Sequence, residues 1–300
     1  MQISKHSQRT YMQNYNSSNT ASKIIYLICL CILGFIITGV LTFILSKFII
    51  GIKLLRISMI LQNLFVFIMP AIMTTLIFTS NPIKYLSLSK APSIKAILGA
   101  FLIFFIATPA LNYIVHWNES ISFPESMSAV EHWLRESENN AKAITDSLLN
   151  IDTIPGLILT ILIVGVMTGF SEELFFRGTL QRIIISGSKN IHIAIWITAF
   201  IFSLLHFQFF GFFPRLLLGA FFGYLVWWTG SLWVPIIAHA INNSGVVATK
   251  YLILNNSLSV DPDQIGAGFD EYTVISIILT AVIIVWGRKF LFGDSPEKYK

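Results

Sequence analysis

The sequence predicts an all-α polytopic membrane helical bundle with about eight transmembrane helices, on three observations. Of its 300 residues, 55% are hydrophobic and only 12% charged, against about 25% charged in soluble domains. The mean hydropathy is +0.73. Apolar stretches of about 20 residues, the length that crosses a bilayer as a helix, recur along the whole chain.

Residues 1–23 are polar, with Lys5, Arg9 and Lys23, and precede an apolar run far longer than the hydrophobic region of a signal peptide. They are expected to form a leader ahead of an uncleaved signal anchor. The spans read at about 24–46, 57–80, 95–115, 155–186, 191–210, 214–229, 232–250 and 272–290. Cys29 and Cys31, which alternate with Leu30 in the first span, read as small core or lipid-facing residues. Between the third and fourth spans, the stretch from Asn118 to Asn150 is polar and carries Glu119, Glu125, Glu131, Glu136, Glu138 and Asp146. Its second half has the pattern of a surface helix, with Trp133, Ile144 and Leu148 as expected interfacial contacts. Glycine pairs within 34–39 and 165–169 stand near the spacing that lets membrane helices approach closely. There is no fixed-period repeat, P-loop or GxGxxG.

The net charge of +5 comes from Lys and Arg placed singly at the ends of apolar segments. Such charges orient and anchor helices; without a basic stripe and interleaved aromatics, nucleic acid is not an expected partner. Lys84, Lys90, Lys95, Arg182, Lys189, Arg288 and Lys289 fall on one side of an eight-span bundle, which is therefore expected to be cytoplasmic. Lys47, Lys53 and Arg56 fall on the other side and break the rule.

The chemistry-bearing residues lie in the second half. Gly169-Phe170-Ser171-Glu172-Glu173-Leu174-Phe175-Phe176-Arg177-Gly178 puts two carboxylates and an arginine into an apolar helix, where an ionisable group is costly and marks function by default. Neighbours on a helix point about 100° apart. The i,i+4 spacing suits a Glu173–Arg177 pair and leaves Glu172 freer for chemistry. Phe202-Ser203-Leu204-Leu205-His206 follows the turn signal Ser186–Asn190. Glu172 lies roughly 21 Å before that turn and His206 roughly 24 Å beyond it, so an antiparallel pair brings them to one depth. Pro235 suits the first turn of a third helix. On it His239 and Asn243 stand one turn apart on one face, with Asn242 rotated away. Singly, these residues also read as snorkelling charges, a packing histidine and interhelical hydrogen-bonding glue. Together they supply a carboxylate, two imidazoles and a carboxamide, the groups that activate water, move protons and stabilise an oxyanion. Glu172, His206 and His239 are also the donor types of a catalytic zinc site, although no His-Glu-x-x-His is present. His6, His116, His132 and His192 read as structural or solvated.

The ordered set Glu172-Glu173-x-x-x-Arg177, Phe202-x-x-x-His206 and His239-x-x-x-Asn243 resembles the motifs of the CAAX-protease and bacteriocin-processing family of intramembrane peptidases, over approximately residues 155–250. The resemblance implies a hydrolase with a cavity open to the cytosol and a glutamate-activated water. It implies Glu172 as general base, His206 as the group that positions water or moves protons, and His239 and Asn243 as oxyanion donors. Members are described both as metalloproteases and as metal-free glutamic peptidases; the metal-free form is preferred here, with Zn2+ as the alternative cofactor. The implied organisation is a leader (1–23), N-terminal helices with the acidic external segment (24–154), a peptidase-type core (155–250), and a C-terminal loop with the last helix (251–300). The expected partners are a membrane-associated peptide or protein and the lipid bilayer, in a bacterial plasma membrane. A non-cleaving immunity or scaffold protein and a proton-coupled transporter are the competing classes. Paired repeats with broken helices, frequent in transporters, are not seen.

Overall fold

The computed structural model describes residues 19–258 and 262–293; most of the leader, with Lys5, His6 and Arg9, lies outside the described residues. The described chain is helical throughout, with no strand. Helix α1 (Thr20–Leu45) starts where the Asn19 side chain accepts from the Ala21 N–H. It is followed by α2 (Ile52–Phe78) and α3 (Ile94–Glu119). The polar helix α4 (Ser128–Leu149) leads to α5 (Ile154–Ser188). Then come α6 (Ile191–Leu204), α7 (Phe212–Thr229), α8 (Trp233–Leu254) and α9 (Glu271–Phe292).

All eight expected spans are helices, yet only six segments among the described residues are both long and apolar enough to cross a membrane. The two exceptions have different causes. With 14 residues, α6 rises only about 21 Å, short of a hydrocarbon core of about 30 Å. With 22 residues, α8 is long enough, but His239, Asn242, Asn243, Ser244 and Lys250 lower its hydropathy. The helix too polar for the lipid criterion is the one that carries part of the predicted constellation.

Packing follows the small residues. A Cβ on Gly34 would collide with the Phe65 carbonyl, so α1 lies directly on the α2 backbone, whereas Gly39 meets nothing. On α5 the Gly165/Gly169 pair faces Ser244 and the Ala240 backbone of α8, which fits the close-approach reading. Pro109 interrupts α3, and Ser276 of α9 inserts its hydroxyl there, donating to the Ile106 carbonyl and accepting from the Ala110 N–H. Backbone groups freed by a proline inside a membrane are thereby satisfied by a neighbouring helix.

Two apolar clusters flank α8: one joins Leu27, Ala71, Phe176, Phe202 and Ile236, the other Ala100, Phe222, Trp228, Val234 and Phe292. Outward faces, such as Ile25, Ile32 and Phe35 on α1, remain exposed and form a lipid-facing surface. On α4, Trp133 and Ile144 are exposed as interfacial contacts require, but Leu148 is buried, because the end of the helix tucks under the bundle. Cys29 is exposed and Cys31 half-buried, both as thiols.

Candidate active site

The site begins with a change of helical pitch. The one-and-a-half turns of α-helix at Thr168–Glu173 lie between π-helical segments Ile161–Met167 and Leu174–Leu180 of α5. Such wide turns are frequent at functional sites. Glu173 and Arg177 are fully buried, and Arg177 Nη1 donates to Glu173 Oε1 at 2.6 Å, the predicted i,i+4 pair. Arg177 Nη2 donates to the Gly219 carbonyl of α7 at 2.9 Å. Its guanidinium lies 4.7 Å from the Phe202 ring centroid and 5.5 Å from that of Phe222.

Glu173 has a second partner that the spacing argument did not provide. His239 Nδ1 lies 2.8 Å from Glu173 Oε1. An ionised carboxylate only accepts, so Nδ1 is the protonated nitrogen and Nε2 is turned the other way. That nitrogen stands 3.9 Å from Glu172 Oε2. The imidazole plane is fixed by Phe222, stacked at 4.9 Å and 19°, and by the edge of Phe202 at 6.2 Å. Adjacent carboxylates thus have unequal surroundings: Glu173 is enclosed with two charge-assisted partners, while Glu172 stays at the rim, 9% exposed.

His206 sits beyond α6, not within it. The helix ends at Leu204, and Phe207 adopts φ of 53°, a left-handed conformation uncommon for a residue of its size. The turn places His206 over Phe202, with ring centroids 4.9 Å apart, and its Nδ1 donates to the Phe202 carbonyl at 2.7 Å. Phe202 therefore separates the two imidazoles.

Asn243 stands apart from these residues. Its Nδ2 donates to the Val164 carbonyl at 3.3 Å, two turns of α5 away from Glu172, and its Oδ1 accepts from Asn242 Nδ2 at 3.0 Å. Asn242 is not an independent neighbour pointing elsewhere: the two carboxamides are one hydrogen-bonded unit. The zinc alternative fits poorly as well. Among the described residues no group of three or more His, Cys, Asp or Glu side chains is placed to hold a metal ion, so Glu172, His206 and His239 do not form a ligand set.

Two supporting networks were missed by sequence reasoning. Asn63, in a π-helical segment of α2, is buried; its Nδ2 donates to Thr168 Oγ1 at 3.3 Å and its Oδ1 accepts from Ser171 Oγ. The N-terminal half thereby holds the turn that ends in Glu172. Across the molecule, Glu138 of α4 accepts from Gln208 Nε2 and the Phe210 N–H, Ser137 donates to the Phe207 carbonyl, and Arg215 grips Gln208. These contacts pin the loop that carries His206. A buried Asn in an apolar span was the one available signal for the first network; nothing in local sequence announces the second.

Residues 154–245 match the family described as type II CAAX prenyl endopeptidase Rce1-like. The matched segment runs from the start of α5 through Asn243 of α8, so the resemblance drawn from the motifs holds over these residues. Uncharacterized protein YpbD of Bacillus subtilis (strain 168) is 30% identical over 117 residues, which cover 38% of this chain and 55% of that protein. The chain thus spans about half the length of that relative. No solved structure matches it.

Proposed function

We propose that the chain is an intramembrane endopeptidase of the CAAX-protease type that hydrolyses a peptide bond of a membrane-associated protein or peptide, with Glu172 activating the water. The observation that best supports this reading is the division between the two carboxylates. Glu173 is fully buried, its Oε1 shared by Arg177 and His239, so it offers no accessible oxygen to a water at the site. Glu172 faces the remaining nitrogen of the same imidazole at 3.9 Å. A water within about 2.8 Å of both atoms would be held at roughly 90° between them. Glu172 and His239 would each accept one of its O–H groups, turning a lone pair toward the substrate carbonyl.

As the water oxygen bonds to the carbonyl carbon, Glu172 takes its proton; collapse of the tetrahedral intermediate breaks the C–N bond, and Glu172 returns the proton to the leaving amine. Glu173, backed by Arg177, holds His239 in one tautomer, the way a buried carboxylate orients a catalytic imidazole elsewhere. Because Nδ1 carries that proton, a neutral His239 presents an acceptor, which favours a water-orienting role over the oxyanion role the family resemblance implied. The oxyanion then falls to Asn243, whose Nδ2 gives one N–H to Val164 and has a second to offer. His206, across Phe202 from His239, would act as an auxiliary proton acceptor. No step is routed through a metal, since the donors do not converge on one.

The setting we propose is a bacterial plasma membrane, with the face bearing Lys84, Lys90 and Lys95 toward the cytoplasm. The test compares peptides recovered from membranes of cells producing the wild type or Glu172→Gln at matched levels. We expect at least one cleaved product present with the wild type and missing with the variant; identical profiles would remove the peptidase reading.

A further inference from the structure

We infer that the slot walled by α3, α6, α7 and α9 is a binding site for one anionic phospholipid, separate from the Glu172 site. The cavity measures 890 Å³ and is lined in its depth by apolar side chains, among them Ile114 of α3, Leu217 of α7 and Ile277 of α9. His192, Tyr224 and Arg288 gather at one end, and Thr280 is a further polar residue deeper along α9. That end lies at one face of the bundle, because His192 begins α6, Tyr224 approaches the end of α7, and Arg288 belongs to the last turns of α9.

Length argues for a lipid. From Leu217 to Trp227 is ten residues and from Ile277 to Arg288 eleven, so the slot runs roughly 15 Å along the helices. This is about half of a 30 Å hydrocarbon core, the depth of one leaflet. The volume lies in the range that ordinarily holds a small-molecule ligand.

The polar end selects the headgroup. Arg288 lines the slot and has neither a hydrogen bond nor an ion pair to a described residue. A guanidinium at the headgroup level of an apolar slot matches a phosphodiester, which it can hold with paired N–H donors. Trp228, also lining the slot, is 5% exposed, and its indole Nε1 has no acceptor among the described residues. An ester carbonyl beneath the phosphate would supply one. His192 Nδ1 lies 2.9 Å from the Tyr224 hydroxyl, so both rings are already fixed at the rim. This inference does not depend on the peptidase reading. It does connect with that site, since α7 turns Gly219 and Phe222 toward Arg177 and His239 while Leu217, Phe221 and Tyr224 face the slot.

Trp196, Trp227 and Trp228 line the slot and provide the readout. The full chain is reconstituted into phosphatidylcholine vesicles, and tryptophan fluorescence is titrated with brominated phosphatidylglycerol or brominated phosphatidylcholine. Expected is half-maximal quenching at a roughly tenfold lower mole fraction of the anionic lipid, the ratio one charge-assisted contact supplies. Arg288→Gln should abolish that preference, whereas Lys189→Gln, which removes an exposed charge from the same face, should leave it intact. Ala107→Phe, which fills the slot from α3, should weaken quenching by both lipids. Equal quenching by the two headgroups would overturn the proposal. So would a preference lost equally in Lys189→Gln, which would mean general surface attraction, or stronger quenching by a brominated isoprenoid without phosphate, which would assign the slot to a substrate's lipid group.

Discussion

Replacing Glu173 by glutamine should separate the structural and catalytic duties of the buried carboxylate. The amide oxygen can still accept from both Arg177 and His239, which meet at Oε1, but carries no charge. Arg177, fully buried, would then keep a neutral amide oxygen, the Gly219 carbonyl and the faces of Phe202 and Phe222, but lose its directly paired counter-charge. Its Nε already lacks a partner. Removing one member of a buried pair typically costs 3–5 kcal/mol, and the hydrogen bonds the amide retains put Glu173→Gln near about 3 kcal/mol. Glu173→Gln/Arg177→Met removes the stranded cation as well and should return to within about 1–2 kcal/mol of the wild type. Turnover should not follow stability: both variants lose the carboxylate that orients His239, and both should fall by about 10²-fold or more. Unfolding midpoints in an SDS titration of micellar protein, beside turnover of the substrate the membrane comparison identifies, measure the two effects. A single variant as stable as the wild type, or a double variant that regains full turnover, would refute the reasoning.

Other perturbations probe the surrounding packing. A Cβ on Gly169 would meet the Ala240 backbone nitrogen at 2.9 Å, whereas one on Gly165 meets the rotatable Ser244 hydroxyl. Gly169→Ala should therefore destabilise by about 1–3 kcal/mol and displace His239, with Gly165→Ala much milder in the same SDS titration. Asn243→Ala should lower turnover by about 10²–10³ with little change in apparent affinity, as loss of an oxyanion donor does. Asn242→Ala should give a smaller loss of the same kind, because Asn242 donates to the Asn243 oxygen and orients it; steady-state kinetics on both variants decide. Outside the membrane spans, the Phe123 N–H, helped by Arg135, holds the Glu131 carboxyl below its ordinary 4.5. A depressed folded value means that this contact is at full strength above pH 4.5 and is lost as pH falls through the folded value. The Phe123 amide resonance should titrate with a midpoint below 4.5, and Glu131→Gln should remove the transition.

Much of this arrangement is legible in the sequence. Apolar run length placed the spans, and helical spacing paired Glu173 with Arg177, because intrahelical geometry is fixed by 3.6 residues per turn. Where the reading failed, contacts across helices had decided the outcome. The largely apolar run Phe202–Leu205 predicts a helix through His206, yet α6 stops at Leu204, where α4 captures the following loop through Ser137 and Glu138. Asn242 was set aside by its 100° rotation, but a carboxamide reaches its sequence neighbour across that angle. The second hydrogen bond of Glu173, to His239, depends on how closely Gly169 lets α8 approach, a distance no residue spacing reports.

If Glu172 is the base, purified wild type and Glu172→Gln in the same vesicles must differ in turnover. Glutamine keeps the shape of the side chain and its place near His239 but cannot take a proton from water, so turnover should fall by at least about 10²–10⁴ with folding intact. Turnover by Glu172→Gln at the wild-type rate would mean that Glu172 is not the base.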